Sequence, residues 1–325
     1  MAGIEITTKI GCRNSCAYCP QDTLIKAYRA RANMLEMSLD LFKRCLEKVP
    51  AEIDVHFCGM CEPWLNPECT EMVLYAYKKG HKIFVLTTLT GMNLSDVDLL
   101  KTCSFEMFDI HLPSENGFEN IKIDDQYLEV LEKISKSNIN VTYHTHAGTT
   151  PPSVRQKIKN AVPILPLLAR VTPSRDGSAF KPFETKASIS PQNRRRGAIR
   201  CTRNLNLPVL LPNGDVVLCC MDYGLKHVLG NLISGDYNSL FRSAEFLRVK
   251  KGLRDESLDI LCRYCEGYAD DLNISARIYN YHLPRVKRRL KEIRNLKDVF
   301  RFIKDCLSFL FRFMCRRLKI GSSVE

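Results

Sequence analysis

Between residues 3 and 172, short apolar runs alternate with stretches of helical periodicity. Strands are predicted near Ile4 to Thr8, Ile53 to Phe57, Lys82 to Thr87, Phe105 to His111, Asn140 to Thr145 and Ala169 to Thr172. The helices fall between them. Ser38 is placed to cap Leu39 to Lys48, Asn66-Pro67 opens Glu68 to Lys79, Ser95 opens Asp96 to Lys101, and Asp124 opens a helix running to Ser137. Strands that alternate with helices imply crossover connections and a parallel sheet. Six such units are too few to close an eight-stranded barrel. The expected fold is α/β, a partial (β/α)6 barrel, laterally open, with its chemistry at the C-terminal ends of the strands.

The pattern lapses between Thr172 and Cys201, where Pro, Ser, Gly and the run Arg194-Arg195-Arg196 take over. A smaller unit follows. PVLLPNGDVVLCC reads as a hairpin turning at Asn213-Gly214, and two short helical stretches and a Cys262-Arg-Tyr-Cys265 pair complete a hairpin-plus-helix domain. From Pro284 to Lys319, apolar residues recur at three- and four-residue steps opposite a basic face, which predicts a long amphipathic helix. The expected division is a barrel over 1–185, the small domain over 186–276 and a basic helical tail over 277–325.

Charge sharpens that division. Of the formal net charge of +12, the segment Pro284 to Lys319 supplies thirteen Lys or Arg against three acids, and the rest of the chain carries 35 basic and 33 acidic residues. A nearly neutral body argues against a nucleic-acid cleft and for a substrate without heavy negative charge. The tail suits packing on the barrel or peripheral contact with an anionic membrane surface. No leading signal region precedes Gly3 and no uninterrupted apolar run is long enough to span a bilayer, so a cytoplasmic location is expected, with peripheral contact of the tail at the membrane as the variant of that reading. In that compartment the fifteen cysteines stay reduced, and clusters of them read as metal ligands.

The first cluster is Cys12, Cys16 and Cys19, a CxxxCxxC triplet just after the first strand. Three thiolates leave one iron of a four-iron cluster without a protein ligand. A structural zinc site borrowing a fourth ligand from elsewhere is the alternative. The triplet, with Tyr18 before its last cysteine, resembles the signature of the radical S-adenosylmethionine enzymes. In that family the open iron chelates S-adenosyl-L-methionine, and one electron from the cluster releases a 5′-deoxyadenosyl radical. HFCGMCEPWLNPE at 56–68 resembles the family's glycine-rich stretch ending in Glu-Pro. The resemblance implies that Gly59 offers backbone groups to the methionine end of the cofactor and that Glu62 is an anionic partner or brace. Cys61 stands where a second glycine is usual and reads as a packing substitution. LTTLTGMNL at 86–94 departs from the family's Thr-Asn-Gly-like turn at Leu89-Thr90. DIHLPSE at 109–115 resembles the ribose-contacting region, with Ser114 as its candidate, and TPSRDGS at 172–178 resembles a Ser-Arg-x-Gly turn in which Arg175 holds a carboxylate or substrate oxygens. His111 reads as a hydrogen-bonded core residue before it reads as a general base, and no third ligand supports a metal site at His144 and His146.

Cys201, Cys219, Cys262 and Cys265 form a second set. Four thiolates complete all four irons, so such a site should bind rather than react directly. A four-cysteine zinc ribbon is the alternative. The set resembles the twitch domain, the short form of the SPASM domain. Asp271 stands six residues after Cys265, which implies one auxiliary cluster; Cys220 is the substitute for Cys219 as ligand. The remaining cysteines read as buried thiols. The resemblance implies two 4Fe-4S clusters and S-adenosyl-L-methionine as cofactors, and an electron donor such as flavodoxin or ferredoxin as partner. It further implies hydrogen-atom abstraction from a substrate C–H bond, with oxidation of a sugar or cyclitol alcohol as the expected reaction. Peptide modification or epimerisation is the alternative within the family, and a zinc-stapled protein binding nucleic acid or lipid is the alternative outside it.

Overall fold

Alternation along each strand divides its side chains between two environments, and in the computed structural model that division builds the barrel wall. The structure describes residues 2–16, 19–115, 119–145, 149–158, 194–201 and 203–265, with the backbone of 165–166 and 269–271. Five parallel strands, β1 (Gly3–Ile6), β2 (Asp54–Phe57), β3 (Ile83–Thr87), β4 (Met107–His111) and β5 (Val141–Thr145), lie side by side in sequence order. A sixth, β6 (Leu165–Pro166), pairs with β5 through His144 and Thr145. It falls earlier than expected; the predicted Ala169–Thr172 lies outside the described residues, as does the predicted basic tail helix.

The helices between the strands are α1 (Gln21–Arg29), α2 (Leu39–Leu46), α3 (Cys69–Lys78), α4 (Leu94–Leu100), α5 (Asp125–Ser135) and α6 (Pro152–Lys157). Ile4, Ile6, Val55, Phe57, Val85 and Ile110 of the strands are fully buried against Phe42, Met72, Val97, Val130 and Leu131 of the helices. The other strand positions, including Glu5, His56, Phe84, Asp109, His111 and His144, therefore face away from the helices, into the concave interior. Ser38 and Asp124 cap α2 and α5 through the N–H groups of Leu41 and Tyr127. At α4 the expected cap shifts. Asn93, and not Ser95, accepts from Ser95 and Asp96, and Asp96 returns a bond to the Asn93 backbone, completing a capping box.

The C-terminal segment adds β7 (Ile199–Cys201), the hairpin strands β8 (Val209–Leu210) and β9 (Asp215–Val217), then β10 (Val228–Asn231), α7 (Tyr237–Leu240) and α8 (Ala244–Gly252). The hairpin does not stand apart. β8 runs parallel to β1, with Glu5 beside Val209 and Ile6 beside Leu210, so the sheet reads β10-β9-β8-β1-β2-β3-β4-β5-β6 and stays open. Val209, Leu210 and Leu211 are all buried, and a strand without a polar face needs both faces covered; the exposed edge of β1 supplies the missing partner. Among the described residues no helix is long and apolar enough to cross a membrane.

Two glycines differ in what holds them. Gly91 sits at φ +94° where a Cβ would come 2.2 Å from the Trp64 carbonyl oxygen, whereas Gly80 at φ +90° has nothing within 4 Å. Gly80→Ala should cost roughly 1 kcal/mol from backbone conformation alone. Gly91→Ala should cost on the order of 3 kcal/mol, because the β2 and β3 loops must also separate. Urea unfolding of the two variants measures the difference; equal losses would refute the close-approach argument.

Candidate functional site

The first cysteine loop leaves β1 and is tied down by a residue that the spacing did not single out. Gln21, buried at the start of α1, accepts from the Cys12 backbone N–H (3.2 Å) and donates to the Met60 carbonyl (2.7 Å) and the Cys19 thiol (3.2 Å). The Cys19 N–H closes a turn onto the Cys16 carbonyl (2.8 Å), and the Cys19 thiol also lies 3.3 Å from the Tyr223 hydroxyl of the C-terminal segment. Tyr18 lies outside the described residues. The signal for Gln21 was its place two residues after Cys19; Tyr223 had none, because its partner is 204 residues away.

The second loop explains the glycine. Gly59 has φ +82°, and a Cβ there would lie 2.5 Å from the Thr7 hydroxyl and 3.2 Å from the Ile6 carbonyl, so the β2 loop lies directly on the end of β1. The Met60 N–H donates to the same Thr7 hydroxyl at 3.1 Å. Glu62 then turns inward. Its carboxylate accepts from the Trp64 N–H (3.3 Å), the Thr87 hydroxyl (2.6 Å), the Thr88 N–H (2.6 Å) and the Thr88 hydroxyl (2.8 Å). Burial pushes the Glu62 carboxyl up from the ordinary range while those four donors oppose the shift. Glu62 is thus the brace between the β2 and β3 loops. Asn14 of the cysteine loop joins it by donating to the Thr88 hydroxyl (2.8 Å).

Cys61 does more than fill space. Its thiol donates to the Glu62 carbonyl at 3.5 Å, and Cys61, with the N–H groups of Glu62 and Asn14, pulls the Cys12 thiol down from 9.0 to about 7. A thiol so placed ionises near neutral pH, as metal ligation requires.

Around the rim, the Ser114 hydroxyl donates to Glu119 (2.8 Å), and Glu119 lies 3.3 Å from His111. His111 stacks on His144 with ring centres 4.8 Å apart, and His144 is paired with Asp109 at 2.9 Å. Burial lowers the His111 pKa, with Glu119 opposing. His146 and Arg175 lie outside the described residues.

The second cysteine set converges. Cys201, Cys219, Cys262 and Cys265, drawn from β7, the end of the hairpin and the turn at Leu261–Arg263, line one pocket with Arg203, Met221 and four leucines. Cys220 does not line it; its thiol accepts from Arg203 at 3.1 Å. Burial, and then the charge of neighbouring cysteines, pushes the Cys219 and Cys262 thiols far up. Crowded thiols in an apolar pocket resist ionising until a cation arrives, so the donor set is one that a metal cluster would relieve. Among the described residues no group of three His, Cys, Asp or Glu is gathered tightly enough to hold a single ion. At the first site the buried Asn14 Oδ1 meets no donor among the described residues.

His56, on the inner face of β2, stacks on Phe84 (4.3 Å) and has its pKa lowered from 6.5 to about 4 by burial and by Arg203. The unfolded chain takes up this proton below 6.5 and the folded chain does not until about 4, so His56 costs stability as pH falls through that window. In thermal melts of the cluster-free chain, His56→Phe should flatten the fall in midpoint between those two pH values; an unchanged profile would show that His56 is not its source.

Residues 6–152 match the model of the radical SAM superfamily and residues 201–266 that of the SPASM iron-sulfur cluster-binding domain. No curated protein matches the chain. Among solved structures, BtrN in complex with AdoMet and 2-DOIA is similar at a TM-score of 0.51 and 15% identity, over 84% of this chain and 94% of that one. The enzyme anSMEcpe with bound AdoMet and the Cp18Cys peptide gives 0.53 and 14%, over 90% and 99%. SuiB of Streptococcus suis bound to precursor peptide SuiA gives 0.52 and 10%, over 81% and 69%. At these identities the likeness is one of fold. The two domain matches, in the order in which the two cysteine sets occur, place this chain in the radical SAM superfamily with a SPASM-type domain, whose cofactors are S-adenosylmethionine and 4Fe-4S clusters.

Proposed function

We propose that this enzyme oxidises an alcohol carbon of a sugar or cyclitol. Cys12, Cys16 and Cys19 hold three irons of the first cluster and leave the fourth for the amino and carboxylate groups of S-adenosylmethionine. Bound there, the cofactors supply one-electron chemistry that removes a hydrogen atom from a substrate C–H bond. Gly59 keeps the β2 loop close to the end of β1, Glu62 fixes that loop to the β3 loop, and Ser114, oriented by Glu119, meets the cofactor's ribose. Cys201, Cys219, Cys262 and Cys265 would hold the auxiliary cluster, which would supply one-electron chemistry beside the substrate.

The observation that carries this reading is the convergence of four cysteines from three separate segments on one pocket. A cluster with four cysteine ligands has no open position, which suits electron transfer better than substrate binding. The polar interior supports a hydroxylated substrate, since Asp109, His111 and His144 stand there as paired groups able to accept and donate hydrogen bonds. BtrN, solved with 2-DOIA, sets a precedent for a small-molecule ligand in this fold.

Reconstituted protein should hold about eight irons per chain as two four-iron units. Cys16→Ala should lose about half of them and all 5′-deoxyadenosine formation. Cys262→Ala should lose the other half, keep cleavage of S-adenosylmethionine and lose net oxidation. With deuterated aminocyclitols or sugars, label should appear in 5′-deoxyadenosine. Zinc in place of iron would overturn the enzyme reading; label transferred only from peptides would overturn the substrate class.

A further inference from the structure

Arg203 holds a position to which the reading above gives no role. Two residues after Cys201, it lines the pocket of Cys201, Cys219, Cys262 and Cys265. One guanidinium nitrogen donates to the Cys220 thiol at 3.1 Å, beside the ligand Cys219, and the other meets Glu5 Oε1 at 2.8 Å. Glu5 stands on the inner face of β1. Its side chain is 3% exposed, and its second oxygen, Oε2, is buried and meets no donor among the described residues. Arg203 is itself only 24% exposed in its side chain. A permanent positive charge is therefore fixed between the barrel interior and the auxiliary pocket, and it is countered by one buried carboxylate.

Reduction of an iron-sulfur cluster adds one negative charge. A guanidinium at the wall of the pocket favours the reduced form, and a nearby carboxylate opposes it. Arginine stays charged at any working pH, so this bias does not titrate. We propose that the Arg203–Glu5 pair sets the reduction potential of the auxiliary cluster, with Arg203 raising it enough to accept the substrate's electron and Glu5 limiting the rise. The step is the transfer of one electron onto the cluster, from a dithionite-reduced mediator in the test and, in turnover, from the substrate radical left by hydrogen-atom abstraction, whose hydroxyl proton passes to water; no bond forms or breaks at the pair. The proposal rests on the assignment of Cys201, Cys219, Cys262 and Cys265 as the ligands.

Potentiometric titration of the reconstituted full chain, followed by electron paramagnetic resonance, tests it. The auxiliary signal is identified as the one retained in Cys16→Ala and lost in Cys262→Ala. Arg203→Gln should shift the one-electron equilibrium of that signal at least tenfold toward the oxidised form, about 59 mV lower. Glu5→Gln should shift it in the opposite direction, and Arg203→Lys, which keeps the charge, should stay near wild type. Opposed shifts are what a general loosening of the pocket does not produce. Unmoved potentials, or shifts of the same sign in Arg203→Gln and Glu5→Gln, overturn the proposal and leave the ligand assignment standing. Full iron content in Cys262→Ala overturns the assignment and the proposal with it. If Arg203→Gln fails to fold, the rise in Glu5→Gln alone decides.

Discussion

One buried carboxylate organises the mouth of this barrel. Glu62 accepts four hydrogen bonds, two from backbone N–H groups and two from threonine hydroxyls, and its burial is tolerable only because every donor is in place. The consequence is geometric. Thr87 and Thr88 end β3, Trp64 belongs to the β2 loop, and Asn14 of the cysteine loop bonds to the Thr88 hydroxyl that also serves Glu62. Three loops from adjacent strands are locked to one another through a single side chain. The Glu62 N–H, placed by that lock, in turn supports the Cys12 thiol.

The same lock explains why the second glycine of the family pattern is dispensable here. Gly59 must remain glycine, since a Cβ would collide with Thr7. At residue 61 the backbone is already positioned by Glu62, and the small polarisable side chain is held by a hydrogen bond from its thiol to the Glu62 carbonyl. Leu89 is the costlier departure. It sits at φ +62°, a conformation that asparagine or glycine adopts more readily, and its burial at 2% exposure offsets that strain with apolar area.

Much of the architecture could be read from local pattern, and the reasons are local. Alternation at Ile4, Ile6, Val55, Phe57 and Val85 marks the helix-facing side of the sheet, and Ser38 and Asp124 mark helix starts by a side-chain oxygen that reaches only three residues ahead. The shift from Ser95 to Asn93 at α4 was decided by Asp96, three residues after Asn93, whose return bond makes the capping box. The cysteine sets were visible because metal ligation imposes spacing within each segment. What stayed hidden was long-range pairing. Nothing near Val209 announces that it will lie beside Glu5, and nothing near Arg203 names Glu5 as its partner 198 residues away.

That hidden pairing is what joins the two cysteine sets into one machine. Because β8 adds to the free edge of β1, the chain that follows it brings Tyr223 to Cys19, and the chain that precedes it brings Arg203 to Glu5. The segments that carry Cys12 and Cys219 therefore leave strands of one continuous hydrogen-bonded sheet. Burial and the neighbouring cysteines push the Cys219 and Cys262 thiols up in the bare protein, so a cation bound in that pocket would stabilise the segment that carries them.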